Sequence, residues 1–129
     1  MTLKRIMMAA AIIEIATGIA LIILPMPIIK LLLGVYAPWT SVSIGRVAGV
    51  AVYSLGVACR PLDGDPRPAA WSGMLMYQGL VAAYFAYLSL VGGIGGVLLW
   101  PAAGLHALFA VALLWKGRGS MWAGKVSGE

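Results

Sequence analysis

The chain has 129 residues, of which 62% are hydrophobic and only 10% charged, with a formal net charge of +5 and a mean hydropathy of +0.98. A soluble domain of this size needs a largely polar exterior, and nine basic plus four acidic side chains cannot supply one. The composition excludes a soluble globular protein and makes the bilayer the solvent against which the sequence is read.

A helix crossing the hydrocarbon takes roughly 20 mostly apolar residues, and four stretches qualify. The first runs from about Ile6 to Leu24 and stops at Pro25-Met26-Pro27, where two prolines cannot continue a regular helix. Pro27 to Gly34 is too short to span again. Two readings of it stay open: a helix lying flat at the outer interface with Lys30 toward headgroups, or a capped continuation of helix one after a kink. The second span runs from about Ser41 to Cys59 and stops before Arg60-Pro61. Pro61 to Pro68, with Asp63, Gly64 and Asp65, is turn chemistry and reads as a connector. The third span covers about Ala70 to Val91. The turn Gly92-Gly93-Ile94-Gly95-Gly96 separates it from a fourth at about Val97 to Trp115. That turn is followed by no Lys-Ser/Thr and is expected to face outward, so it is not a phosphate loop. Unpaired backbone groups are expensive in lipid and no alternating barrel strands are present, so the spans are helices. The expected architecture is an all-α four-transmembrane-helix bundle, a single integral membrane domain over residues 1–129.

Seven of the nine basic residues (Lys4, Arg5, Arg60, Arg67, Lys116, Arg118 and Lys125) fall on one side of this arrangement. Lys30 falls on the other side, and Arg46 lies inside helix two. The bias predicts both termini in the cytoplasm of a multi-pass cell-membrane protein, with a bacterial inner membrane the natural setting. Trp39, Trp71, Trp100, Trp115 and Trp122 sit at or beyond predicted helix ends, where amphipathic rings favour the interface. Topology thus accounts for the net charge, and no nucleic-acid partner is expected. The first apolar run is long, contains Glu14 and lacks an Ala-x-Ala site, so it reads as a span rather than a cleaved signal. One Cys and one His are too few for a protein-only metal site, and neither a metal nor a cofactor is expected.

Glu14 is the most informative residue, because a carboxylate near the middle of a span must be paired, hydrated or protonated. It lies on a small-residue stripe with Ala10, Ala11, Thr17 and Gly18. It can serve as a proton- or substrate-binding acid or as a structural carboxyl held between helices. Arg46 enters helix two on a face shared with Gly49, Tyr53 and Gly56, about one helical turn from the depth of Glu14, so a Glu14–Arg46 ion pair is expected. The alternative is that Arg46 snorkels to outer headgroups. Gln78 and His106 lie near the centres of helices three and four. Pointing inward with Glu14 and Tyr53, they would form one polar layer at the midplane, able to bind a proton, hold a polar headgroup or simply fix packing. Tyr77, Tyr84 and Tyr87 form a stripe with Gly73 that reads as core packing, and Gly45, Gly49 and Gly56 permit close helix approach.

The order of a first helix ending in proline, then Gly45-Arg46-Val47-Ala48-Gly49 opening helix two, a basic connector and a last helix with His106 resembles the small bacterial four-helix membrane proteins called DoxX-like. The resemblance implies the four-helix fold and no particular activity. Ala11-Ile12-Ile13-Glu14-Ile15-Ala16-Thr17-Gly18 resembles the first helix of small multidrug resistance transporters, and Ala70-Trp71-Ser72-Gly73 the start of their third. That likeness would make Glu14 the coupling carboxylate and Trp71 a substrate-stacking ring. The long charged connector, the cation Arg46 and the one-sided charge bias depart from that pattern.

Three functions follow. The leading one is a non-enzymatic accessory or lipid- or apolar-ligand-associated module, with membrane lipids as partners and a homo-oligomer or larger membrane complex as its setting. The others are a proton-coupled small-molecule transporter using Glu14, and an intramembrane acid–base enzyme using Glu14 and His106 on an apolar substrate. The topology is directly testable. Reporter fusions at Lys125 and within Pro61 to Pro68 should read cytoplasmic and one at Gly95 external; an external reading at Lys125, or equal populations of both orientations, contradicts it.

Overall fold

Pro25 has no N–H to donate back into helix one, and the chain leaves helical geometry at Leu24 (φ −124°, ψ 52°). A computed structural model describes residues 1–62 and 64–126, with side chains described through Gly119; the side chains of Trp122 and Lys125 lie outside the described residues. Helices α1 (Leu3–Ile23), α2 (Pro25–Leu33), α3 (Trp39–Ala58), α4 (Pro68–Leu90) and α5 (Leu99–Val126) follow in order, with no strand among the described residues. Four are long and apolar enough to cross a membrane: α1, α3, α4 and the Leu99–Gly119 part of α5. The first, second and third spans begin two or three residues before their expected starts. The added residues suit a helix N-terminus although they count against hydropathy. Thr2 caps α1 by accepting from the Arg5 N–H at 3.4 Å, and Pro68 occupies the first turn of α4.

The spans pack mainly as two pairs, α1 on α3 and α4 on α5, joined along α1 and α5. The α1–α3 contact is backbone on backbone. A Cβ at Gly18 would lie 2.6 Å from the Tyr53 nitrogen and 2.7 Å from the Gly49 oxygen, and one at Gly56 would lie 2.8 Å from the Ala11 oxygen. Lipid tails are as apolar as leucine, so association inside the bilayer depends on such close packing. Gly45 serves a different contact, since its Cβ would meet Ile29 of α2 at 3.1 Å.

At the end carrying the N-terminus and the α3–α4 connector, Leu3, Ile6, Met7, Ala10 and Ala11 of α1 form a buried cluster with Cys59, Met74 and Leu113. Trp71 closes it: its indole N–H donates to the Leu113 carbonyl at 3.0 Å, in space that a side chain at Gly117 would occupy. The ring expected at an interface is thus also a clasp between α4 and α5.

At the other end α2 is a helix of its own after the break at Leu24, touching α1, α3 and α5. Its Ile28 and Leu32 turn toward the bundle while Lys30 stays exposed. Gly34 ends it in the left-handed region (φ +74°), its N–H bonded to the Lys30 carbonyl at 2.8 Å. The glycine-rich turn docks on this end. Gly96 donates to the Leu32 carbonyl at 2.8 Å and Leu98 to the Leu31 carbonyl at 2.9 Å, satisfying carbonyls a helix end leaves free. The glycine-rich turn is thus a backbone strap across α2, and glycine is needed because a Cβ at Gly34 would sit 2.8 Å from the Gly95 oxygen. Outside the spans, Lys30 donates to the Tyr36 hydroxyl at 2.5 Å, and this bond, reinforced by the ammonium charge, holds the phenol below its usual range.

Gly49→Ala should lower thermal stability in detergent by about 1–3 kcal/mol through overpacking. Gly104→Ala, where a Cβ meets open space, should be neutral or stabilising by about 1 kcal/mol. Equal effects of the two substitutions would contradict the close α1–α3 contact.

Candidate functional site

Helix α1 has two working faces. Ala11, Ile15 and Gly18 meet α3, and Glu14, between them in sequence but rotated around the axis, meets α4 and α5. The α4 backbone keeps its distance from α1, so side chains must span the gap. Gln78 does so. Its Nε2 donates to Glu14 Oε1 at 2.8 Å, and its Oε1 stands 2.5 Å from His106 Nδ1. Glu14 is 1% exposed and Gln78 is fully buried. His106 Nδ1 lies 3.8 Å from Glu14 Oε1, beyond hydrogen-bond reach, so Gln78 carries the connection between acid and imidazole.

The imidazole is held on its edges. Tyr77 and Phe85 each approach it in T-shaped fashion with ring centroids 5.9 Å away, at interplanar angles of 77° and 74°. Met74, one turn before Gln78, places its sulfur 3.6 Å from the Gln78 Nε2, which donates to it. Glu14 Oε2 is sealed from solvent and makes no close hydrogen bond among the described residues, with the Tyr77 side chain its nearby polar neighbour. An unmade bond of this kind costs about 1–3 kcal/mol.

This polar layer divides the molecule. On the Met74 side lies the packed cluster; on the other side a cavity of about 790 Å³ opens between α1, α4 and α5 beneath α2. It exists because the facing side chains are short: Ala16, Thr17 and Ala20 from α1 and Ala102 from α5. Leu80, Val81 and Tyr84 form one wall, Leu98, Pro101 and Leu105 another, and Ile28 and Leu32 of α2 the roof. Tyr77 and His106 border the cavity at the polar layer, whereas Glu14 and Gln78 lie behind them. The size falls in the range of small-molecule sites, roughly 300–1,000 Å³, and the pattern of apolar walls with a few polar groups is theirs too.

The structure thus brings together Glu14, Gln78 and His106 and leaves out Arg46 and Tyr53. Gly18 meets Gly49 and Tyr53, and Gly49 meets Leu21 and Ile22, so the antiparallel register carries Arg46 up to Ile23 and Pro25, with which it borders a separate cavity of about 340 Å³. Ile23 is nine residues beyond Glu14, about 13 Å along the helix rather than one turn, and the expected Glu14–Arg46 pair does not form. Arg46 is exposed about two turns inside α3, a depth from which an arginine can snorkel. Tyr53 stands against Gly18, one turn from Glu14, and is 40% exposed. The tyrosine stripe also divides: Tyr77 joins the polar layer, Tyr84 lines the cavity, and Tyr87 stacks on Tyr84 in an exposed position. Phe85 and Thr17 were not singled out as site residues. Phe85 is seven residues after Gln78, two turns along the same face, and that spacing was the available signal.

Chemically, the layer can accept, donate and store a proton. Among the described residues, no group of three or more His, Cys, Asp and Glu side chains is placed to hold a metal ion. In a double-mutant cycle, Glu14→Leu and Gln78→Leu should show a coupling of about 1–3 kcal/mol. Glu14→Leu and Arg46→Leu should be additive within about 0.5 kcal/mol, and coupling in the second cycle instead of the first would contradict this geometry. Comparison of the chain with protein-family models, curated proteins and solved structures gives no match.

Proposed function

We propose that this protein is a non-enzymatic multi-pass membrane module that holds a lipid or another apolar small molecule in the cavity, with the molecule's polar end at His106. The observation that carries the reading is the cavity of about 790 Å³, apolar on its walls and polar at the layer where His106 stands. The charge bias favours both termini in the cytoplasm and a bacterial inner membrane as the setting, in keeping with the DoxX-like resemblance. Membrane lipids are the ready source of an occupant. The transporter reading has less support, because the carboxyl that would exchange protons for substrate lies behind Tyr77 and His106 rather than on the cavity wall. The enzyme reading has an acid and an imidazole but no activated nucleophile beside them.

Filling the cavity tests the proposal. Ala102→Phe places a ring one turn from His106 without touching the Glu14–Gln78 bond. Mass spectrometry of the organic extract from purified protein should find an apolar molecule retained by the native chain and depleted several-fold in the variant. Equal retention, or no retained molecule in either protein, would refute the reading.

A further inference from the structure

The direction of the hydrogen bonds at the base of the cavity specifies what the occupant must offer. Gln78 has one donor end and one acceptor end, and its NH₂ faces Glu14 Oε1 at 2.8 Å. Its carbonyl therefore faces His106 Nδ1, which has to be the protonated nitrogen. In a neutral imidazole the other nitrogen, Nε2, is then a bare acceptor. The order is the same whether Glu14 is ionised or carries its proton on Oε2, because Oε1 accepts in both states. Among the described residues Nε2 is bonded to no protein group, and it is not among their sealed, unpartnered side-chain atoms, which are Glu14 Oε2 and Arg60 Nε. It belongs to a ring that borders the cavity and is held in place by Tyr77 and Phe85.

We infer that the occupant is a lipid-soluble alcohol or phenol, an apolar body with a hydroxyl that donates its hydrogen to His106 Nε2. This rests on the proposed cavity function and narrows it to a ligand class. A ketone, an aldehyde or an ether has no hydrogen to give and would leave Nε2 unpaired against an acceptor. A site built around one polar bond discriminates strongly against the analogue lacking it, because the buried group loses its partner. Gln78 is a positioning residue here: it touches no ligand but fixes which imidazole nitrogen is bare.

The test uses the full-length protein in lipid nanodiscs with three probes at matched mole fraction: para-nonylphenol, its methyl ether para-nonylanisole, and the ketone para-nonylacetophenone. Binding is read by native mass spectrometry and by thermal shift. The phenol should bind at least about tenfold more tightly than the ether or the ketone, about 1.4 kcal/mol. His106→Phe, which keeps a ring in place, should erase that preference, so that phenol and ether bind alike. Gln78→Leu should weaken the preference with His106 still present, an effect that cavity shape alone would not produce. Ether or ketone binding equal to the phenol's would overturn the inference while leaving the cavity function intact, and ketone preference would mean that the relay runs the other way. If no probe binds, or all bind equally to the Ala102→Phe variant, the cavity function itself falls, and the inference with it.

Discussion

Burial of one carboxyl group in a bundle with almost no other polar interior sets the terms for the rest of this structure. Glu14 is as deeply enclosed as the surrounding methionines and alanines, and an ion pair would have required a second desolvated charge beside it. The chain uses a neutral amide instead. Gln78 can donate to the acid and accept from the imidazole at the same time, which connects α1 to α4 and α4 to α5 through one side chain. Because the α1 and α4 backbones stay apart, these bonds and the Met7–Met74 cluster fix how the two helical pairs meet.

Small residues do two opposite jobs around that layer. On the α3 side of α1, Gly18 together with Gly49 and Gly56 lets backbones touch, and the contact is filled. On the α4 side, Ala16 and Ala20 face helices that do not close in, and the same economy of side chain leaves a cavity. The cavity is bounded by contacts at the two ends of the bundle. Trp71 clasps α4 to α5 at one end, and at the other α2 and the glycine strap bridge the opening, with Gly96 and Leu98 bonded to the last carbonyls of α2.

The spans were legible in the sequence because hydropathy and proline placement are local signals. The shared depth of Glu14, Gln78 and His106 was legible for the same reason, since counting from helix ends locates a residue along the membrane normal. Rotation about each axis and the register between helices were not. Counting from the span ends places Arg46 about one turn from Glu14, whereas the Gly18–Gly49 contact sets the register and puts Arg46 about 13 Å away along the helix. The docking of α2 was not legible either, because the groups that bond its last carbonyls, Gly96 and Leu98, come more than sixty residues later in the chain. The cavity had no signature, because short side chains on a helix read equally well as close packing.

A buried acid that borders no cavity needs a reason to be there, since an apolar residue in its place would remove a costly orphaned oxygen. The reason lies in the symmetry of an amide. Without Glu14, Gln78 could present either end to His106, and the imidazole could then expose either a bare or a protonated nitrogen to the cavity. With Glu14 Oε1 occupying the donor end, only the carbonyl remains for Nδ1. The acid thus acts through Gln78 to set which imidazole nitrogen carries the hydrogen. The unsatisfied Oε2 is the energetic cost of that constraint. On the proposed ligand-binding reading, what that cost secures is a fixed order of donors and acceptors at the cavity.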